Sequence, residues 1–148
     1  MSDRIEKQIE LNAPIEKVWQ ALTDHEAFRA WFRVKLDAPF AAGETSTGHI
    51  TYPGHEHLKW QAHVVKVEKP HAFAFTWHPY AVDPDYDYSA EQPTLVEFTL
   101  KPHKSGTLLT VVESGFDGVP EKRRDEAMRS NEGGWEEQMK NIKAYVDR

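Results

Sequence analysis

Residues Val119 to Arg148 constrain this chain more than any other stretch, because their apolar side chains recur at helical spacing. Met128, Trp135, Met139, Ile142 and Val146 follow one another at gaps of seven, four, three and four, one stripe of a 3.6-residue period. Pro120 suits a first helical position, where its missing N–H is not needed. Glu121 and Lys143 sit near opposite ends, each favourable with the helix dipole. The stripe is broken at polar Asn131 and Glu132. Gly133 and Gly134 follow, each costing roughly 1 kcal/mol against Ala in a helix interior. A cost of that kind points to the close approach of another backbone, or to a bend. The expectation is a long helix laid over something flat, sealed along its C-terminal half and looser, with a mixed surface, along its N-terminal half.

The flat partner is legible upstream. Ile5, Ile9 and Leu11 alternate with Arg4, Glu6, Gln8 and Glu10, a half-buried strand. Asn12-Ala13-Pro14 opens a helix, in which Ile15, Val18, Trp19 and Leu22 share one face. Thr23-Asp24 interrupts it, and Asp24 can cap a second short helix carrying Phe28, Trp31 and Phe32. After Pro39 the pattern turns to strands: Thr45–Tyr52 with Gly48 inside it, then Leu58, Trp60, Ala62 and Val64. The alternation then slips to Val65 and Val67, which a β-bulge near Val64-Val65 reconciles. His71, Phe73, Phe75 and Trp77 share a face opposite Ala72, Ala74, Thr76 and His78. Val96, Phe98 and Leu100 form a further strand, and Thr107 to Phe116 another, with Leu109, Val111 and Glu113 on one side. Between Trp77 and Val96, the segment Pro79–Pro93 holds three Pro, three Tyr and four acids; loops of that length serve as lids or contact surfaces. The order predicts an α+β fold: one curved antiparallel sheet of about six strands, two short helices after the first strand, and a long C-terminal helix.

At 148 residues with five Trp and 11% aromatic content, residues 1–148 are expected to form a single domain with a sizeable core. A net charge of −6 and no basic run longer than Lys122-Arg123-Arg124 argue against nucleic acid and anionic membranes as partners. With no Cys, a disulfide, a thiolate metal site and a Cys nucleophile are excluded. The start lacks an apolar leader segment, and a cytoplasmic location is the default expectation.

Glu113 is the ionisable residue of most interest. If Leu109 and Val111 face the long helix, so does Glu113, beneath its N-terminal half. Burial penalises an unpaired carboxylate, and Arg124 or Arg129 is the compensating partner expected there. The alternatives are an anchor for a polar ligand group or a general base, a structural ion pair, or an exposed strand end. His78 ends the aromatic strand and is a candidate hydrogen-bonding group. His55-Glu56-His57 follows the Pro53-Gly54 turn in a loop, too short of ligands for zinc. Asp83-x-Asp85-x-Asp87 lacks the Gly and distant Glu of a calcium loop. No metal or cofactor is expected. Nor is there a nucleophile elbow, a phosphate-cradling loop or a dinucleotide fingerprint, and no catalytic residue is assigned.

The run Ile9-Glu10-Leu11-Asn12-Ala13-Pro14-Ile15-Glu16-Lys17-Val18-Trp19 resembles the opening of START-like, helix-grip (SRPBCC) domains. Trp31-Phe32, Phe75-Thr76-Trp77, Gly106-Thr107 leading to Glu113-Ser114-Gly115-Phe116, and Gly134-Trp135 resemble one branch more closely. That branch is named for homologues of the activator of the ninety-kilodalton heat-shock protein's ATPase, and the likeness runs from about Ile5 to Val146. It implies a sheet gripping the C-terminal helix around a cavity for apolar or amphipathic small molecules. Trp31, Trp60, Phe73, Phe75, Trp77, His78, Phe98, Glu113, Met128, Asn131 and Trp135 are then the candidate ligand-binding residues. The name also brings a stress-response setting and chaperone contact as an alternative, with Tyr80–Tyr88 as the contact surface. Here the first strand opens the chain, without the activator's separate N-terminal domain, which weighs against ATPase stimulation. The long Pro79–Pro93 segment implies a covered cavity mouth or a homodimer contact. Cyclases share this fold, so an enzyme using Glu113 or His78 is the third reading, behind a non-enzymatic binder.

Overall fold

The computed structural model describes residues 4–79 and 85–147. Strand β1 (Ile5–Leu11) leads to helices α1 (Ile15–Thr23) and α2 (His25–Phe32). Strands β2 (Val34–Leu36), β3 (Thr45–Ile50), β4 (Lys59–Glu68), β5 (Ala72–Trp77), β6 (Thr94–His103) and β7 (Gly106–Ser114) follow, and helix α3 (Glu121–Val146) closes the chain. The seven strands form one antiparallel sheet in the order β1-β7-β6-β5-β4-β3-β2. The α1–α2 pair therefore carries the chain from one sheet edge to the other, and the strands meander back until β7 pairs with β1. β2 escapes sequence reading because three residues show no period.

Local chemistry explains where these elements begin and end. Pro14 and Pro120 each occupy the position just before a helix rather than its first turn, so both helices start one residue later than the sequence suggests. Asn12 does not cap α1. Its backbone N–H donates to Asp147 Oδ1, tying the end of α3 to the end of β1. Asp24 does cap α2, its Oδ2 accepting from Ala27 N at 3.1 Å. Gly48 lies so close to β2 that a Cβ would stand 2.0 Å from the Lys35 carbonyl oxygen, and only glycine fits such an approach.

The register of β4 on β5 runs Val64 to Phe75, then Lys66 to Ala74, leaving Val65 as the extra residue of a bulge. Past the bulge, Ala74 lies between Lys66 and Glu97 in register. Those two side chains meet at 2.8 Å, which accounts for a buried alanine on the outer face of the sheet.

On the inner face, Leu109 and Val111 of β7, Val96, Phe98 and Leu100 of β6, and Phe73 and Phe75 of β5 are buried against the helices. From α3 come Ala127, Trp135, Met139, Ile142 and Val146. Ala127 rather than Met128 continues the stripe at the N-terminal end, and Met128 is half-buried beside it. The sealed C-terminal half is as anticipated. Phe28 stacks on Phe32 at 4.7 Å, Phe32 and Phe75 each pack on Trp60, and Phe98 meets Trp135 edge-on at 5.7 Å. Rings from α2, the sheet and α3 thus pack against one another between helix and sheet.

Candidate functional site

The site is built around one carboxylate. Glu113 is the last inward-facing residue of β7, in alternation with Leu109 and Val111, and it is 0% exposed. Its Oε1 accepts from Asn131 Nδ2 at 2.9 Å and Trp135 Nε1 at 2.8 Å. Its Oε2 accepts from Trp77 Nε1 at 2.7 Å and Thr94 Oγ1 at 2.5 Å. All four partners are neutral. Indole N–H groups can only donate, so the set matches the acceptor-only valence of a carboxylate, with two bonds on each oxygen.

The expected guanidinium partner is therefore replaced by neutral donors. Arg124 turns back to the Val119 and Asp117 carbonyls instead, and Arg129 is exposed. Glu113 meets α3 toward its middle, at Asn131 in the N-terminal half and at Trp135 just beyond it. Hydrogen bonds, not charge pairing, hold the group in place.

Above this carboxylate lies a cleft of ≈ 110 Å³ lined by Phe32, Trp77, Asn131, Gly134, Trp135 and Gln138. Its size is of the order of the ~150 Å³ cavity that accepts benzene in an engineered core. Trp77 and Trp135, 5.7 Å apart with planes 32° from parallel, form one wall, and Phe32 packs against both. Gln138 is fixed by donating to the Phe32 carbonyl and accepting from Asn141.

Of the sequence-derived candidates, the cleft brings together Trp77, Asn131 and Trp135, with Glu113 directly behind them. Trp60 stands one layer back against Phe32 and Trp77, its N–H donating to Ser46. Phe73, Phe75 and Phe98 are fully buried core. Trp31 is core as well, its N–H bonded to the Ala21 carbonyl. Met128 is half-buried outside the lining. His78 lies within 3.0 Å of the Glu91 carbonyl oxygen, away from the cleft, and His55 and His57 are exposed in the loop before β4. Phe32, Thr94, Gly134 and Gln138 were not anticipated. Gly134 carried the one usable signal, a glycine in a helix interior.

The reason for that glycine differs from the expectation. No backbone approaches Gly133 or Gly134; a Cβ at either would meet nothing within 4 Å. At Gly134 the missing side chain leaves the cleft open. Gly133→Ala is expected to stabilise the fold by about 1 kcal/mol through helix propensity alone, read as a raised urea midpoint at constant slope. Gly134→Ala is expected to gain similarly while placing a methyl group at the cleft. A destabilised Gly133→Ala would contradict the open space seen around it.

Pro79, Tyr88 and Glu91, between β5 and β6, are pinned to the start of α3. Arg123 Nη2 meets Glu91 Oε1 at 2.5 Å, and Nη1 donates to the Pro79 carbonyl at 3.0 Å. The guanidinium also lies 4.9 Å from the centre of the Tyr88 ring. Tyr86 donates to Glu91 Oε2 at 2.9 Å and packs on Tyr88, and residues Tyr88–Ala90 form a 3₁₀ turn. Tyr80 and Asp83, named above for a contact surface and a calcium-like loop, lie outside the described residues.

A curved antiparallel sheet clasping one long C-terminal helix, with a small cleft at the middle of that helix, defines the helix-grip class. Within it, the chain belongs to the family described as Activator of Hsp90 ATPase homolog 1-like protein, which matches residues 12–147. Among solved structures, protein MLL2253 from Mesorhizobium loti is 26% identical, with a TM-score of 0.77 over 98% of this chain and 97% of that one. The Aha1 dimer from Colwellia psychrerythraea is 17% identical, with a TM-score of 0.72 over 97% of this chain and 96% of that one. DynU16, a protein of the dynemicin biosynthetic locus, is 22% identical at a TM-score of 0.73 over 99% of this chain. The chain spans about half of DynU16, 48% of its length. No curated protein matches the sequence significantly. Among the described residues, no helix is long and apolar enough to cross a membrane.

Proposed function

We propose that this chain is a small-molecule binding protein whose site is the cleft over Trp77 and Trp135. The observation that carries the reading is Gly134. A glycine with open space around it, kept inside a helix at a cost, holds a cleft open over two indoles that a buried carboxylate fixes in place. A preformed site of this kind keeps the ordering cost of binding low. At ≈ 110 Å³ it admits one ring-sized group, the apolar end or head of an amphipathic molecule rather than a whole large ligand. The crowded interior behind it supports this smaller guest over one enclosed between helix and sheet.

A general-base role for Glu113 finds little support. Both its oxygens are occupied by fixed donors, and a base needs a lone pair within reach of substrate. A second reading, a protein-contact module, rests on exposed Tyr86 and the pinned Tyr88 beside it. A dimer structure is known for the Colwellia relative, so a second copy of this chain is one partner to consider there.

The test is a titration of tryptophan fluorescence with single-ring apolar probes such as indole and toluene. Saturable change is expected for the native chain and its loss for Gly134→Leu, which fills the cleft. No saturable response, or one indifferent to Gly134→Leu, would remove the binding proposal. Retention of a partner that is lost on Tyr86→Ala would favour the contact module instead.

A further inference from the structure

The charge arrangement behind the cleft deepens that reading. We infer that the cleft selects a cationic guest, an organic ammonium head of one-ring size such as a quaternary amine. Among the described residues no cation bonds to Glu113, and its four hydrogen-bond donors are neutral. Two of them are the indoles that form the cleft wall. An indole that donates its N–H to a carboxylate is polarised toward greater electron density in the ring. That deepens the negative quadrupole a cation seeks, and tryptophan is already the best ring for it.

The remaining lining agrees. None of its six lining residues is Lys or Arg, so the lining itself presents no positive charge to a guest. Asn131 must present its N–H group to Glu113, which turns its Oδ1 away from the carboxylate as an acceptor for a C–H or N–H of the guest. Gln138 is already engaged on both its amide atoms. The cleft therefore combines π faces, an acceptor and an uncompensated buried charge, and a low-dielectric surround strengthens that charge's reach. An anionic guest would be repelled by the Glu113 carboxylate. A quaternary ammonium also carries little hydration to lose compared with a primary amine, which suits a cleft with few polar groups.

The inference rests on the binding proposal, and the experiment separates the two. Choline and its uncharged isostere 3,3-dimethylbutanol are titrated into the ¹⁵N-labelled native chain, following the Trp77 and Trp135 indole N–H resonances. Choline is expected to bind at least tenfold tighter than the alcohol and to shift both resonances. Glu113→Gln, which keeps the shape and removes the charge, is expected to lower the ratio of choline to alcohol affinity, both read in the same variant, at least severalfold. Trp77→Phe, which keeps a ring but deletes one N–H to Glu113, is expected to reduce the preference severalfold, and serves if Glu113→Gln does not fold. Equal or tighter binding of the alcohol, or binding of single-ring probes without choline, would overturn the cation inference and leave the cleft as a binding site. Failure of every probe would overturn both.

Discussion

Glu113→Ala is expected to lower the unfolding free energy by about 4 kcal/mol, the largest effect of any single substitution away from the apolar core. The loss comes less from four vanished bonds than from what they leave behind. Trp77, Asn131, Trp135 and Thr94 would keep donors aimed at an empty, largely water-excluded space. Each unsatisfied buried donor costs on the order of 1–3 kcal/mol, reduced where solvent or relaxation supplies a partner. Asn131 and Trp77, being half-buried, recover part of theirs, which holds the total below the simple sum. Glu113→Gln replaces one acceptor by a donor that faces two others, so about 1–3 kcal/mol is expected from it. Thr94→Val removes one donor along with its need and should cost about 1 kcal/mol. Urea unfolding with an unchanged slope reads all three. An alanine variant within about 0.5 kcal/mol of native would mean that the four donors find other partners without strain.

Arg123→Ala should cost about 2–3 kcal/mol, and its effect should depend on pH. Glu91's side chain is 6% exposed and meets the guanidinium at 2.5 Å, so removing Arg123 strands a buried carboxylate. Breaking such pairs from one side costs roughly 3–5 kcal/mol when both ions are fully buried. Partial exposure of Arg123 lowers the figure. Burial pushes the Glu91 carboxyl up, but hydrogen bonds from Arg123 and then Tyr86 outweigh it and hold it below its ordinary 4.5. A carboxylate depressed in the folded state contributes stability at pH above its unfolded value and loses it as pH falls through the folded one. Native protein should therefore lose this contribution on acidification below about pH 4.5. The Arg123→Ala penalty should be largest near pH 7 and shrink toward pH 3. Thermal melts of both proteins across that range check it, and a penalty constant with pH would show that Arg123 acts through packing on Tyr88 alone.

The parts of this fold legible in the sequence are those with a period or a cap. The α3 stripe, the alternation of β1, β4, β5 and β6, the bulge at Val65 and the Asp24 cap are each set by residues within a few positions of one another. β2 was not legible, because its place depends on β3 lying beside it rather than on its own three residues. In the site, Trp77, Glu113, Asn131 and Trp135 were recognisable as aromatic wall, strand-end acid, stripe gap and stripe member. What joins them was not. The four come from β5, β7 and α3, and the indoles' donors converge only when helix and sheet close on each other.

Local chemistry alone settled that this chain makes a strand layer under a long helix, since propensity and hydrophobic period act over one or two turns and need no partner. Tertiary packing decided the rest. It gave Glu113 neutral donors where an arginine was expected, because two indoles and an amide reach it from the inner face while Arg124 is drawn off to nearby carbonyls. It also packed rings against one another in the interior and left a cleft beside Gly134. Volume and hydrogen-bond direction are properties of facing surfaces, and no single stretch of chain encodes both sides.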